Sequence, residues 1–429
     1  MPQYPKVLFK NRKPDRVATL DEYRAGGGYR ALEKYVGGGL SPGEVIRLVG
    51  ESGLLGRGGA GFPAGKKWAS VPESGAYPRY LAANADEMEP GTFKDRVLLH
   101  TDPHLIIEGM ALAAYSFSAS KAFFFVRPSY ESSAAIFERE LEIARQAGFL
   151  GDKILGTDFS FDVVVHRSGG RYICGEAGAL LNAIMGKRPN PIKPPPYPTE
   201  KGLWDKPTVV NNVETLANVP HILLNGPEWF KGLAATPRGT GTKLYCISGK
   251  VSAPGTVGLP IGTRLSEIID EHCAGMQPGS EFKACLPGGA STRFLTKEHY
   301  DVRMGFEDLR AVGNRLGTAA IMVFDHKTCL VAATVNLMEF FARESCGWCT
   351  PCREGLPYML DLLRRIENGQ GEEEFIPNLR RLCKEVWNSY CALAPGAAEP
   401  VVSLLDFFED EVREHISQKG CPFHAKAGH

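Results

Sequence analysis

No stretch of this 429-residue chain is long and apolar enough to read as a transmembrane helix. The most apolar region, His104 to Val126, is broken by Glu108, Ser116, Ser118, Ser120 and Lys121, and reads as a buried helix followed by the strand Ala122-Phe-Phe-Phe-Val126. The N-terminus lacks the apolar core of a signal peptide. There is no excess of either charge: 49 Lys and Arg balance 49 Asp and Glu. That balance argues against a nucleic-acid-coating role and predicts no nucleic-acid partner. No internal repeat is evident, and the one biased tract is a proline segment. Structural disulfides are not expected, because eleven cysteines scattered over the chain without a secretory signal suit a reducing compartment. The expectation is a cytoplasmic protein that reaches a membrane only by docking onto membrane-bound partners. What is present is a 43% apolar composition, enough for a sizeable core, and a length that fits about two to four domains.

Three of the cysteines are not scattered. Cys346, Cys349 and Cys352 stand at strict three-residue spacing in Glu344-Ser-Cys-Gly-Trp-Cys-Thr-Pro-Cys-Arg-Glu-Gly355. Thiolates in a C-x-x-C-x-x-C loop converge on one face of an iron–sulfur cluster, and a cubane needs a fourth thiolate from elsewhere. Zinc is the competing reading, but its usual knuckles are paired C-x-x-C units. A cluster moves single electrons and does no hydride or group chemistry of its own. The chain therefore reads as an electron relay.

Residues 1 to about 65 are rich in glycine, with Ser41-Pro-Gly-Glu44 predicting a capped helix through Val45 and Leu48. From about 66 to 235, strand-like pieces (Tyr80-Leu-Ala-Ala83, Phe161-Asp-Val-Val-Val-His166) alternate with helical ones, which predicts an α/β layer on a parallel sheet. Pro189 to Pro198 holds six prolines and should be extended. Ala234-Thr-Pro-Arg-Gly-Thr-Gly241 marks a boundary before a small α+β unit at 236–328, opening with the strand Lys243-Leu-Tyr-Cys-Ile-Ser248, in which Thr263 is placed to cap a helix Leu265 to Ile269. Residues 329–429 are helical: Val331, Val335, Met338 and Phe341 share one face, Met359, Leu362, Leu363 and Ile366 another, and Val401 to Ile416 reads as one further amphipathic helix.

Four stretches look like parts of a site. Gly56-Arg-Gly-Gly-Ala-Gly61 matches G-x-G-x-x-G, whose glycines let backbone N–H groups approach a phosphate. It follows no clean hydrophobic strand, and Asp86 lies thirty positions beyond Gly56 where an ordinary dinucleotide fingerprint has an acid about twenty on. Alone it does not separate a phosphate cradle from a plain turn. Its neighbours add charge from Arg57, Lys66 and Lys67 and stacking faces from Phe62 and Trp68. Asn84-Ala-Asp-Glu-Met-Glu-Pro-Gly91 directly follows a buried-looking strand; its polar side chains either meet the hydroxyls of a ribityl or ribose chain or form a solvated turn. Arg171-Tyr-Ile-Cys-Gly-Glu176 and Thr208-Val-Val-Asn-Asn-Val-Glu-Thr215 are not specific by themselves.

In combination these segments resemble the family of NADH-binding flavoprotein subunits of respiratory complex I, the bacterial NADH:quinone oxidoreductase. The resemblance runs from Leu20-Asp-Glu-Tyr23 to Cys391-Ala-Leu-Ala-Pro-Gly396 and includes Gly202-Leu-Trp-Asp-Lys-Pro-Thr208. It implies FMN, one 4Fe–4S cluster and NADH as substrate, on a Rossmann-like domain, a β-grasp domain and a C-terminal four-helix bundle. It implies that Gly56, Arg57, Gly58, Gly59, Ala60, Gly61 and Lys67 face FMN, with Asn84, Asp86, Glu87, Tyr172, Gly175, Glu176, Asn211, Asn212 and Thr215. Phe62, Glu89 and Tyr197 match residues on the NADH side, Tyr197 standing where the family usually has phenylalanine. Cys346, Cys349, Cys352 and Cys391 match the cluster ligands. Cys383 rivals Cys391 by distance but sits at apolar spacing, which marks it as structural; the cysteines at 174, 246, 273, 285, 329 and 421 read as core or surface thiols. No side chain is needed as acid or base in the hydride step; Glu89 would position the nicotinamide. The implied partners are a thioredoxin-like 2Fe–2S subunit and a large multi-cluster subunit, which would hold the chain peripheral to the inner membrane.

Two departures touch the NADH side. Where the family reads C-G-E-E-T-A-L, this chain has Cys174-Gly-Glu-Ala-Gly-Ala-Leu180, so Ala177 replaces a glutamate near the adenosine ribose. Pro194 takes the place of a family lysine, and Lys193 stands one position earlier. Rival readings are the diaphorase subunit of an NAD-linked hydrogenase or formate dehydrogenase, and a scaffold with impaired nucleotide binding.

Overall fold

The computed structural model describes residues 4–13, 16–72 and 77–423. Its first sheet is four-stranded and fully parallel, in the order β3-β2-β1-β4: β1 Tyr80–Ala85, β2 Lys121–Val126, β3 Asp162–Arg167 and β4 Thr208–Asn212. The strands are short and rich in Ala, Val and Phe, as strands covered on both faces should be. The apolar run after His104 forms the helix Pro103–Ser116, which is buried almost throughout. It packs so close to the chain after β4 that a Cβ on Gly109 would lie 2.1 Å from the Leu216 carbonyl oxygen. Apolar residues from Val7 to Leu54 share this core with β1, β2 and β3, so the N-terminal segment is built onto the sheet.

The second sheet is mixed, in the order β6-β5-β9-β7-β8: β5 Thr242–Gly249, β6 Gly255–Pro260, β7 Phe282–Leu286, β8 Leu295–Thr296 and β9 Ala320–Asp325. Only β5 and β9 run parallel. The helical region follows as Leu330–Glu344, Thr350–Glu367, Phe375–Val386, Leu393–Phe407 and Glu409–Gln418. One core cluster joins Ala82, Phe125 and Val210 of the first sheet, Ala284 and Leu286 of the second, and the inner faces of these helices. Among the described residues no helix is long and apolar enough to cross a membrane.

Local expectations fare unevenly. Ser41 caps Pro42–Glu51 through the Glu44 N–H, but the Glu44 carboxylate turns to Arg47, leaving half of a capping box. Thr263 does not cap a helix: its hydroxyl donates to the Pro260 carbonyl, and the helical turn begins at Leu265 with Arg264 before it. The single helix expected over Val401 to Ile416 is two. Phe408 leaves helical geometry at φ −137°, packs edge-on to Phe294 at 6.1 Å, and Glu409-Asp-Glu411 starts a new helix with acids in its first turn.

Candidate functional site

Parallel strands bring their carboxyl ends to one edge, and the order reverses between β1 and β4, where ligands bind in open α/β sheets. The register pairs Asn84 with Asn212 across that boundary. Asn212 donates to the Asn84 carbonyl at 3.2 Å and to Asp95 at 2.7 Å, and Asn84 reaches the Gly175 carbonyl at 3.0 Å. A cavity of about 630 Å³ opens there. Gly58, Gly59, Ala60, Asn84, Asp86, Glu87, Glu89, Tyr172, Gly175, Glu176, Asn212 and Cys391 all line it. Four motifs far apart in sequence thus share one wall.

The glycine loop reaches the cavity because it has no side chains to keep it out. A Cβ on Gly58 would sit 2.9 Å from the Asn212 Cβ, and Gly59 has a φ of +135°. Thr215 lies behind the loop and anchors it, its hydroxyl accepting from the Arg57 N–H at 2.8 Å. Arg57 brings no charge to the cavity, contrary to the sequence reading. Its guanidinium is buried and donates to the carbonyls of Leu55, Thr240 and Thr242, which pins the loop to β5. Lys67 donates to the Val210 carbonyl, Lys66 is exposed, and Asn211 accepts from the Trp68 indole, all away from the lining. Gly56 and Gly61 hold the ends of the loop, Gly56 donating to the Phe62 carbonyl.

The acidic turn is built rather than solvated. Glu87 accepts from the N–H groups of Asp95 and Arg96 and from the Tyr130 hydroxyl. Asp86 accepts from Ser168 at 2.8 Å through one oxygen; its other oxygen is buried without a protein partner. Burial pushes the Asp86 carboxyl up to about 6, and burial together with Asp95 raises Glu87. Glu89 accepts from the Tyr172 hydroxyl at 2.5 Å and from the Ser291 N–H at 2.7 Å, and burial raises its carboxyl too. Glu344 in turn accepts from the Tyr172 N–H at 3.0 Å, so the residue two before Cys346 braces the cavity wall.

Several contributors leave little trace in the sequence. Lys94 is buried, 2.6 Å from Asp95 and 3.0 Å from Glu214, and Glu214 also pairs with buried Lys243 at 2.5 Å. Burial opposes the Lys94 charge, but Asp95 and Glu214 outweigh it and raise the group. An opposite-charge doublet just after the acidic turn is the one available signal; its long-range partners leave none. The chain around the second sheet closes the cavity with Gly288, Ser291, Arg310, Asn314, Arg315 and Thr318. Thr92 meets Thr318 at 2.7 Å across that junction. Phe62 and Tyr197 are 53% and 57% exposed and stand outside the lining.

Cys346, Cys349, Cys352 and Cys391 lie near one another. Cys349 precedes the helix Thr350–Glu367, Cys352 is buried in its first turn, and Cys349 accepts from the Tyr390 N–H at 3.4 Å. Burial pushes Cys352 up to about 11, with Cys349, Cys391 and Cys346 adding to it, and Cys391 likewise. Four sulfur ligands brought together suit an iron–sulfur centre. Cys383 is 3% exposed in the helix Phe375–Val386, apart from this group. Cys391 alone belongs to both the thiol group and the cavity wall, with Ala392 and Leu393 beside it.

Comparison with known proteins agrees. The Nuo51 FMN-binding domain matches residues 49–221, an SLBB domain 244–295, and the NADH-ubiquinone oxidoreductase-F iron–sulfur binding region 332–415. The NADH-quinone oxidoreductase F 2 subunit of Rhizobium meliloti is 46% identical over 97% of this chain and 99% of its own length. The NADH-quinone oxidoreductase F subunit of Escherichia coli K12 is 46% identical over 97% of this chain and 94% of its own. A solved NAD+-reducing [NiFe]-hydrogenase chain superposes with a TM-score of 0.79 at 32% identity, over 92% of this chain and 65% of that one. The chain belongs to the family of NADH-quinone oxidoreductase F subunits.

Proposed function

We propose that the cavity at the β1/β4 boundary seats FMN and that NADH reaches it from the side of Phe62 and Tyr197. The chain takes a hydride from NADH onto FMN and passes single electrons to one 4Fe–4S cluster. The observation that carries this reading is Cys391, which lines the flavin-sized cavity while standing among the cluster thiols. Bound FMN supplies two-electron acceptance and one-electron release, chemistry that no side chain here offers.

The chain's own residues position and exclude. Backbone N–H groups of Gly58, Gly59 and Ala60 serve the phosphate. The unpartnered buried oxygen of Asp86, with Asn84 and Asn212, accepts or donates to ribityl hydroxyls. Glu89, held by Tyr172 and Ser291, orients the nicotinamide end. Arg310 and Arg315 line the cavity and supply the positive charge that Arg57 does not. Electrons leave toward quinone through a thioredoxin-like 2Fe–2S subunit and a multi-cluster subunit, and these partners keep the chain peripheral to a membrane.

The hydrogenase likeness favours one second reading, a diaphorase subunit of an NAD-linked hydrogenase assembly. An absorbance spectrum of the purified protein, followed by NADH-driven ferricyanide reduction, tests the shared core of both. Flavin and iron–sulfur bands with turnover are expected; zinc with neither band would refute it. The subunits that co-purify from the native host separate the two assemblies.

A further inference from the structure

The far end of the helical region holds a second cluster of ligand-type side chains. Cys329, Glu367, His415 and Cys421 bring their Sγ, carboxylate and Nε2 atoms within 4.8 Å of one another. Sequence alone gives no link between the two cysteines, which read there as unrelated thiols. The four residues come from four separate places: Cys329 caps the helix Leu330–Glu344, Glu367 ends Thr350–Glu367, His415 lies in Glu409–Gln418, and Cys421 is in the segment beyond it.

Three of the four ligand atoms form a tight triangle, with the Cys421 sulfur within 4.8 Å of each. Cys329 Sγ stands 3.2 Å from His415 Nε2 and 3.5 Å from the Glu367 carboxylate, and His415 Nε2 is 3.2 Å from the same carboxylate. Zinc–sulfur bonds of about 2.3 Å and zinc–nitrogen or –oxygen bonds of about 2.0–2.1 Å, at tetrahedral angles, put neighbouring ligand atoms about 3.3–3.8 Å apart. His415 is fully buried, and its Nδ1 donates to the Glu411 carbonyl at 2.7 Å. A carbonyl only accepts, so Nδ1 carries a proton, and Nε2 is the ring atom that faces the cluster. This is how metal-bound histidines are held. Cys329 Sγ accepts the Ala332 N–H at 3.2 Å, which fixes the sulfur at the start of the helix.

We propose that Cys329, Glu367, His415 and Cys421 form a closed tetrahedral site for one zinc-type divalent cation, which fastens the C-terminal segment to the far end of the bundle. Binding sends the two thiol protons to solvent and uses His415 neutral. Four protein ligands leave no open position, so the site is structural. It is also remote from electron transfer. Cys329 precedes and Cys346 follows the same 15-residue helix, which spans about 22 Å at 1.5 Å per residue.

The test is metal analysis of the full-length holoprotein grown with supplementary zinc, joined to zinc-edge X-ray absorption. About one zinc per chain is expected, with two sulfur neighbours at about 2.3 Å and two nitrogen or oxygen neighbours. Cys421→Ser and the pair Cys329→Ser with Cys421→Ser should lower zinc about tenfold or more while iron and FMN contents hold, which also reports that the chain has folded. Four results would overturn the proposal: background zinc at full iron and FMN; zinc surrounded by four sulfurs, which is the Cys346 loop mis-metallated; a Cys329–Cys421 disulfide in the intact mass; or zinc retained in the double variant.

Discussion

Two groups of thiols sit at opposite ends of the same helices and differ in almost every respect. Cys346, Cys349 and Cys352 are local in sequence, with Cys391 alone brought from afar, and they abut the cavity. Cys329 and Cys421 are 92 positions apart, and their partners Glu367 and His415 are as scattered. The near end is all sulfur and suits a redox centre; the far end mixes sulfur, nitrogen and oxygen and suits a redox-silent ion. On the proposed assignments one helical scaffold keeps its electron path and its fastening apart.

The largest effect expected from breaking this contrast is at the near end. Cys349→Ala should abolish the cluster and cut electron transfer to the partner subunits by more than about 100-fold, while FMN stays bound and ferricyanide reduction persists. Iron content and stopped-flow reduction of the assembled complex check it. Next, Lys94→Ala leaves Asp95 and Glu214 buried with fewer cationic partners and should cost about 3–5 kcal/mol of stability, read as loss of FMN-loaded protein in urea titrations. At the far end, Cys329→Ser with Cys421→Ser should lower the melting temperature by about 5 °C yet leave NADH–ferricyanide turnover within about twofold.

A pH test comes next in size. The folded-state pKa of Asp86 lies above its ordinary value of 3.8, at about 6, so between these values the folded chain holds the proton and the unfolded chain has released it. The contribution of Asp86 to the stability of the flavin-free protein should therefore fall as pH rises through that window, by up to about 3 kcal/mol, and Asp86→Asn should remove that share of the slope. Smallest is the nucleotide side. Ala177 opens the helix Ala177–Ile184 beside Glu176, and Ala177→Glu should raise the NADH over NADPH ratio of kcat/KM by about tenfold. A strong NADH preference left unaltered by that change would contradict it.

The same contrast explains what the sequence could disclose. A C-x-x-C-x-x-C loop and a glycine-rich turn are written by spacing, because backbone geometry over a few residues sets where their atoms go. The strands and the acidic turn after Tyr80 are legible for the same reason. Arg57 is misread from sequence because its nearest charges along the chain are not its neighbours in space; β5 and the Thr240 carbonyl claim its donors. Phe408, where the helix breaks, packs on Phe294, 114 positions earlier, and no periodicity in Val401 to Ile416 reveals it. The Lys94–Glu214–Lys243 network and the far-end site are products of tertiary packing alone.

On the proposed assignment, the wall shared by the cavity and the thiol group of Cys391 joins hydride chemistry to electron transfer. An anaerobic NADH titration of the purified chain, followed by visible absorbance and electron paramagnetic resonance, tests it directly. The wild type should bleach flavin bands and develop a reduced-cluster signal, whereas Cys349→Ala should bleach flavin alone. Flavin that stays oxidised under NADH, or a reduced-cluster signal that survives Cys349→Ala undiminished, would contradict it.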